Sequence, residues 1–240
     1  MRLVKFRSLA NEEDLCRVIR TIKTGEFWCA KLWNMNDPME GVFSSFNRTQ
    51  VDGIFSEKNA FVICSFSDSS SLQWPLLWGY YANGFKGIAI EIEIDAHQIL
   101  KHKKNGRLPP VEEGEGAICD VKYLNWIKFN EDSRDSDVEN IITRKLNSWK
   151  KEKEYRFLKR ANEGWHKISE VRRVYIGDPY INVVNREQII PQSKTIKQYL
   201  NYREIVENVC ERFGIEVLYS KIGGDNKVLL YPPSQSDGRN

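Results

Sequence analysis

Two carboxylates and a guanidinium alternate with other residues in Trp149-Lys-Lys-Glu152-Lys-Glu154-Tyr-Arg156. Side chains on a strand alternate between faces, so a strand here would put Glu152, Glu154 and Arg156 on one side and Lys153, Tyr155 and Phe157 on the other. That register suits a ribose diol or a developing positive charge. Two close carboxylates repel and raise one pKa unless Arg156 or another cation compensates. The alternative is an exposed strand face with a Glu–Arg ladder. Arg7, followed by Ser8 at the end of an opening strand, offers a planar fork for phosphate or carboxylate, or else is a surface arginine on an edge strand. In Trp78-Gly-Tyr80-Tyr81 with Lys86, the rings could floor a pocket for a planar base, at roughly 1–3 kcal/mol per stacked ring. The spacing of Trp74, Leu77, Trp78 and Tyr81 fits the core face of a helix equally well. A fourth set, Asp37, Glu91, Glu93 and the Asp120-x-Lys122 pair, holds the residue types that bind Mg²⁺ and activate water. No companion carboxylate is tied to that pair by the sequence.

These groups need elements to position them. Leu3-Val-Lys-Phe-Arg7 alternates as a half-buried strand. Residues 8–25 read as a helix: Asn11 is the cap, Glu12, Glu13 and Asp14 fill the first turn, Leu15, Val18, Ile19 and Ile22 form a stripe, and Gly25 stops it. Glu26–Ala30 is a second strand, and Asn36-Asp-Pro38 marks a turn that holds Asp37 extended or turned before the proline. Ala60–Phe66 is another strand, running into a polar loop. Pro75 opens a short aromatic helix closed by Gly84 and Gly87, which feeds Ile88-Ala-Ile-Glu-Ile-Glu-Ile94, a strand expected to have one wet face. Residues 98–116 read as a mobile insertion, 117–123 as a strand, and 135–151 as a helix running straight into the Glu152–Leu158 strand. Strands at 168–177 and 216–220, with a helix near 202–213 between them, complete a count of seven or eight strands and three or four helices.

Lys plus Arg number 36 against 33 Asp plus Glu, a net charge of +3, which by itself does not imply nucleic acid. Basic clusters at 101–104 and 150–151 read as solvated surface that permits a nucleic-acid partner. The five cysteines are scattered with no C-x-x-C pair, and the three histidines lie far from any two of them, so neither a disulfide framework nor a zinc site is expected. Neither G-x-G-x-x-G nor G-x-x-x-x-G-K-S occurs. The apolar runs fall short of the roughly 18–20 residues a membrane span needs, and the charged start does not read as a signal peptide. The expectation is a cytoplasmic chain that engages no membrane, forming a single α+β domain over residues 1–231 with a mixed, mostly antiparallel sheet flanked by helices, and a disordered tail at 232–240.

Asn36-Asp-Pro-Met-Glu40, Cys64-Ser-Phe-Ser67, Trp78-Gly-Tyr-Tyr-Ala-Asn-Gly-Phe-Lys-Gly87, Val121-Lys-Tyr123 and Lys145…Trp149-Lys-Lys-Glu-Lys-Glu-Tyr-Arg156 follow one another across roughly residues 3 to 220. In order and spacing they resemble the bacterial domain-of-unknown-function family 2971. Tyr80 stands where that family usually has a histidine. The layout of the family looks like a divergent ADP-ribosyltransferase, with a basic residue on the first strand, an aromatic midway and a glutamate on a late strand.

That resemblance implies an NAD-dependent ADP-ribosyltransferase or NAD glycohydrolase, in the setting of a toxin or antiviral defence effector, with NAD as substrate and no metal. It implies catalytic roles for Glu154, Glu152 and Tyr81, with Tyr81 stacking on nicotinamide and Glu152 orienting or deprotonating the acceptor. Arg7, Ser8, Trp78, Tyr80, Lys86 and Arg156 would hold the nicotinamide nucleotide, Arg7 at a ribose or the pyrophosphate. The acceptor, protein or nucleic acid, is left open, as is an inhibitor or assembly partner. Two other classes stand beside it: a metal-dependent nuclease built on Asp37, Glu91, Glu93 and the Asp120-x-Lys122 pair, and a non-catalytic nucleotide- or peptide-binding regulatory module.

Overall fold

The computed structural model describes residues 1–35, 48–104, 107–125, 138–180 and 193–233. The turn around Asp37 and residues 234–240 of the expected tail lie outside them. The chain is α+β, and its described residues contain thirteen strands and five α-helices. They group into two compact units, each assembled from separate stretches of sequence.

One unit takes residues 2–26, 69–93 and 169–240. It opens with strand β1 (Arg2–Ser8) and helix α1 (Glu12–Thr24). Asn11 caps α1 by accepting a 2.8 Å hydrogen bond from the Asp14 N–H, and Gly25 ends it in the left-handed conformation at φ 65°. Acidic residues in the first turn and Lys23 in the last complement the helix dipole. A 3-10 turn (Ser69–Gln73) leads to α3 (Pro75–Tyr81) and then β4 (Gly87–Glu93). β11 (Val171–Gly177), α5 (Lys194–Arg212), β12 (Glu216–Ile222) and β13 (Val228–Tyr231) follow. The strand order is β13-β12-β11-β4-β1; β11 and β12 are parallel and the other pairs antiparallel.

The expected wet face of β4 is not there. The strand lies between β1 and β11, and every residue from Gly87 to Ile92 is buried. Glu91 is covered with the rest and accepts a 2.7 Å hydrogen bond from the Tyr175 hydroxyl, with Arg173 at 3.6 Å. Ile/Glu alternation signals a strand correctly, but a polar side chain with a partner fits a covered face as well as a wet one.

The other unit takes Met1 and residues 27–68 and 94–168. Its main sheet has the order β3-β9-β6-β5, from β3 (Phe61–Asp68), β9 (Glu154–Arg160), β6 (Gly116–Asp120) and β5 (Ile99–Leu100). β9 is antiparallel to both neighbours. Two small sheets accompany it: β2 (Glu26–Cys29) with β10 (Gly164–Lys167), and β7 (Lys122–Leu124) with β8 (Arg144–Leu146). Helices α2 (Arg48–Ala60) and α4 (Val138–Ile142) contribute Ile54, Val138, Ile141 and Ile142 to a core shared with Phe61, Ile63 and Leu158. Each such fully buried aliphatic or aromatic side chain contributes about 1.5–3 kcal/mol.

Here the sequence reading is corrected in three places. The helix expected over 135–151 is only α4, after which the chain turns through β8 and a 3-10 segment (Asn147–Glu152). The strand expected over 117–123 is two strands, β6 and β7. Glu152 belongs to the 3-10 segment, so β9 begins at Glu154 and the two glutamates are not successive same-face residues of one strand. Within the expected insertion the Lys103 N–H donates to Arg107 O at 2.8 Å. Among the described residues no helix is long and apolar enough to cross a membrane. All five cysteines are free thiols; Cys16 is exposed on α1 and the other four are buried.

Candidate functional site

β9 starts directly after a backbone feature that costs energy. Lys153 adopts φ 46°, ψ 52°, the left-handed region that a long side chain seldom occupies. Strain of this kind is of order 1–3 kcal/mol and clusters where geometry matters for function. Here it separates Glu152 from Glu154 and turns the chain from the 3-10 segment into the strand.

The two carboxylates are brought together by a cation that the reading of individual residues had not assigned a role. Lys145, on β8, places its Nζ 2.7 Å from Glu152 Oε2 and 3.0 Å from Glu154 Oε2. Arg156 donates from Nε to Glu154 Oε1 at 2.8 Å and from Nη2 to Glu154 Oε2 at 3.2 Å. Its Nη1 donates to the carbonyl of Ile142, at the end of α4, at 2.6 Å. The Glu154 N–H donates to the Tyr123 hydroxyl at 2.8 Å. Lys145 also sits 5.0 Å from the centre of the Trp149 ring. The signal for Lys145 lay in the sequence, because it opens the Lys145…Trp149 part of the motif, but its partners are fixed by the β7–β8 pairing.

All four charged side chains are buried: Glu152 is 5% exposed, Glu154 and Lys145 4%, and Arg156 0%. Burial alone would push the Glu154 carboxyl up. The Arg156 guanidinium, the Lys145 ammonium and hydrogen bonds from Arg156 and Ser65 overcome this and hold it at about 2. Glu154 is therefore ionised throughout the physiological range. Burial, with the Glu154 and Glu152 charges beside it, pushes the Tyr123 phenol far above its ordinary value. A permanently charged carboxylate in surroundings almost free of water exerts a stronger field on a nearby charge than one in solvent.

The remaining expected site residues belong to the other unit. Arg7 is half-buried on β1, paired with Ile88, and its carbonyl lies so close to Gly87 that a Cβ there would come within 2.3 Å of it. The Ser8 hydroxyl accepts the Ala10 N–H at 3.0 Å, and Lys86 offers its carbonyl to Leu9 at 3.3 Å. Trp78 is 0% exposed. Its ring stacks on Phe85 at 5.2 Å and meets the edge of Phe6 at 5.3 Å, while its N–H donates to Leu72 O at 2.9 Å. It is thus a core side chain of that unit. Tyr81 is partly buried against the same cluster, whereas Tyr80 is 68% exposed.

The carboxylates considered for a metal fall on different elements. Glu91 and Glu93 are on β4 and Asp120 is on β6, and Asp37 lies outside the described residues. Asp120 is engaged by His102, whose N–H and Nδ1 lie 3.0 and 2.9 Å from Oδ1. Among the described residues no group of three metal-ligating side chains occurs.

Residues 77–157 match the family described as Protein of unknown function (DUF2971). The matched segment is less than half of the chain. It contains both the Trp78–Lys86 stretch and the Glu152–Arg156 stretch, and it is narrower than the span over which the motifs run in the sequence. No curated protein and no solved structure matches the chain.

Proposed function

We propose that the chain is an NAD-dependent ADP-ribosyltransferase or NAD glycohydrolase with an ADP-ribosyltransferase-like fold, and that Glu154 is its central carboxylate. The observation that carries this reading is the quartet Lys145–Glu152–Glu154–Arg156, set at the start of a central strand behind a strained lysine. Burying four charges is a poor way to gain stability, because apolar residues of similar volume often do as well. Strongly perturbed ionisation held by specific partners is more typical of a site.

In the proposed reaction the bond between nicotinamide and the ribose carbon breaks, and nicotinamide leaves as a neutral base with the bonding pair. The ribose carbon becomes an oxocarbenium-like cation. Glu154, already ionised and held in place, stabilises that charge without reorganising. Water or an acceptor nucleophile then bonds to the ribose carbon and gives its proton to Glu152. Arg7 and Tyr81 keep in this proposal the roles the resemblance implies, and substitution tests each of them.

The near-complete enclosure of Glu154 favours a second reading. In it the quartet is a clasp joining β8, β9 and the end of α4, and the chain is a regulatory module that binds a nucleotide or peptide without consuming it. The two readings separate when purified protein is incubated with NAD, with and without cell lysate, and nicotinamide is followed by mass spectrometry. Release that needs lysate indicates transfer, and release without it indicates hydrolysis. Thermal stabilisation by NAD with no product indicates the binding module.

A further inference from the structure

The segment between β5 and β6 carries mixed charge in the sequence, with Lys101, His102, Lys103, Lys104 and Arg107 first and Glu112, Glu113 and Glu115 later. The fold sorts these charges. His102 is fastened to Asp120, at the far end of β6, through both its backbone N–H and its ring, and its Nε2 lies 3.3 Å from the Thr143 hydroxyl. Glu115 immediately precedes the first residue of β6. Since a strand advances about 3.3 Å per residue, the lysines and the glutamates stand at opposite ends of β6, on the order of 15 Å apart.

Other lysines gather at the His102 end. The Lys122 N–H donates to Thr143 O at 2.8 Å, and the Val121 N–H donates to Glu154 O at 3.2 Å. Lys150, Lys151 and Lys153 flank Glu152 in the 3-10 segment and its cap, and the Lys153 N–H donates to Lys150 O at 3.2 Å. These lysines and Lys101, Lys103 and Lys104 are all exposed. Across residues 101–104, 107, 122–125 and 147–153 the one acidic residue is Glu152, and it is buried against Lys145. Tyr123 and Trp149 lie within these segments and Tyr155 two residues beyond Lys153, each partly exposed, with the Asp68 and Asp120 carboxylates near Tyr155.

We infer that this end of the unit is an interaction surface for a single-stranded nucleic acid. A collar of exposed lysines that outnumbers its two partly exposed acids, Asp68 beside Lys153 and Asp120 bound to His102, complements a chain of phosphates. Partly exposed aromatic rings between the lysines give bases a surface to stack on, which a folded acidic protein would not use. A lipid surface fits less well, because none of the exposed large apolar side chains of the described residues lies in these segments. The inference is independent of whether the buried carboxylates act on NAD.

The test is fluorescence anisotropy with labelled single-stranded RNA and DNA oligonucleotides of one sequence and their duplex, over a salt series. Wild-type protein should bind the single strands, with affinity falling steeply as salt rises. The triple variant Lys101→Glu/Lys103→Glu/Lys104→Glu should bind at least about tenfold more weakly, and its log–log salt slope should shrink by roughly 2, at about 0.7 per lost phosphate contact. Lys194→Glu/Lys197→Glu, on exposed positions of α5, should bind like wild type. Circular dichroism verifies that all variants are folded. The inference is overturned if folded wild type binds neither strand at low salt, if both variants lose affinity equally, if the duplex binds more tightly than the single strands, or if polyglutamate competes as well as the oligonucleotide does.

Discussion

The ammonium of Lys145 stands 3.0 Å from a carboxylate oxygen of Glu154, and both side chains are 4% exposed. The same nitrogen reaches Glu152 at 2.7 Å, so one cation holds two buried carboxylates at once. Removing one member of such a cluster leaves uncompensated charge in a medium that solvates it poorly. Lys145→Met should therefore destabilise the fold by about 3–5 kcal/mol, measured by chemical denaturation. Adding Glu152→Gln should recover part of that loss, because the orphaned negative charge is then gone. If the double variant is less stable than the single one, Lys145 does not act through this carboxylate.

The Glu154 carboxyl is held at about 2, below the ordinary 4.5, because Arg156 and Lys145 outweigh the burial that would raise it. A group whose pKa is depressed on folding contributes stability that is complete above the unfolded value and is lost as pH falls towards the folded one. Stability should thus fall between about pH 4.5 and 2. Glu154→Gln, although less stable at neutral pH, should show a shallower acid dependence in that window. Denaturation midpoints collected across this range check it, and parallel curves for the two proteins would contradict it.

Lys58 carries the opposite linkage. Burial first, and the Arg144 charge second, lower its amine from 10.5 to about 8. Between those values the unfolded chain binds more protons than the folded one, so stability should rise with pH from about 8 to 10.5. Lys58→Met should remove that slope and stabilise the protein at pH 7 by roughly 1–2 kcal/mol after allowance for solvent screening. Difference melting curves of the two proteins give the answer.

Gly177 accepts the backbone of Phe85 so closely that a Cβ would lie 2.1 Å from its carbonyl oxygen. Phe85 itself sits at φ 67°, with its ring stacked on Trp78. Gly177→Ala must push this turn away, and a loss of roughly 1–3 kcal/mol is expected, as for other overpacked cores. A melting temperature equal to wild type would show that the Asn83–Phe85 turn is not held from this side.

What the sequence displays, and what it hides, divides along physical lines. β1, α1 and β4 are legible because period, cap and stop are local properties of consecutive residues. Asn11, the acidic first turn and Gly25 bound α1 with no help from the rest of the chain. The stretch from Ile142 to Glu154 is not legible in this way. Its apolar residues fit a helical spacing, yet the pairing of β8 with β7 and the left-handed turn at Lys153 are tertiary outcomes. Glu152, Glu154 and Arg156 stood out by residue type, and the fold brings them together by a different route from the one strand that the spacing suggested. The burial of Glu91 followed from β11 lying beside β4, a neighbour distant in sequence.

The central claim is that Glu154 supports cleavage of the bond between nicotinamide and ribose, and the most direct measurement is the rate of nicotinamide release from NAD by wild type and by Glu154→Gln, with folding verified for both. The account predicts release by wild type and a loss of roughly a hundredfold or more in the variant, the scale expected when one preorganised electrostatic group is removed. Equal rates in the two proteins, or no release from folded wild type with and without lysate, would contradict it.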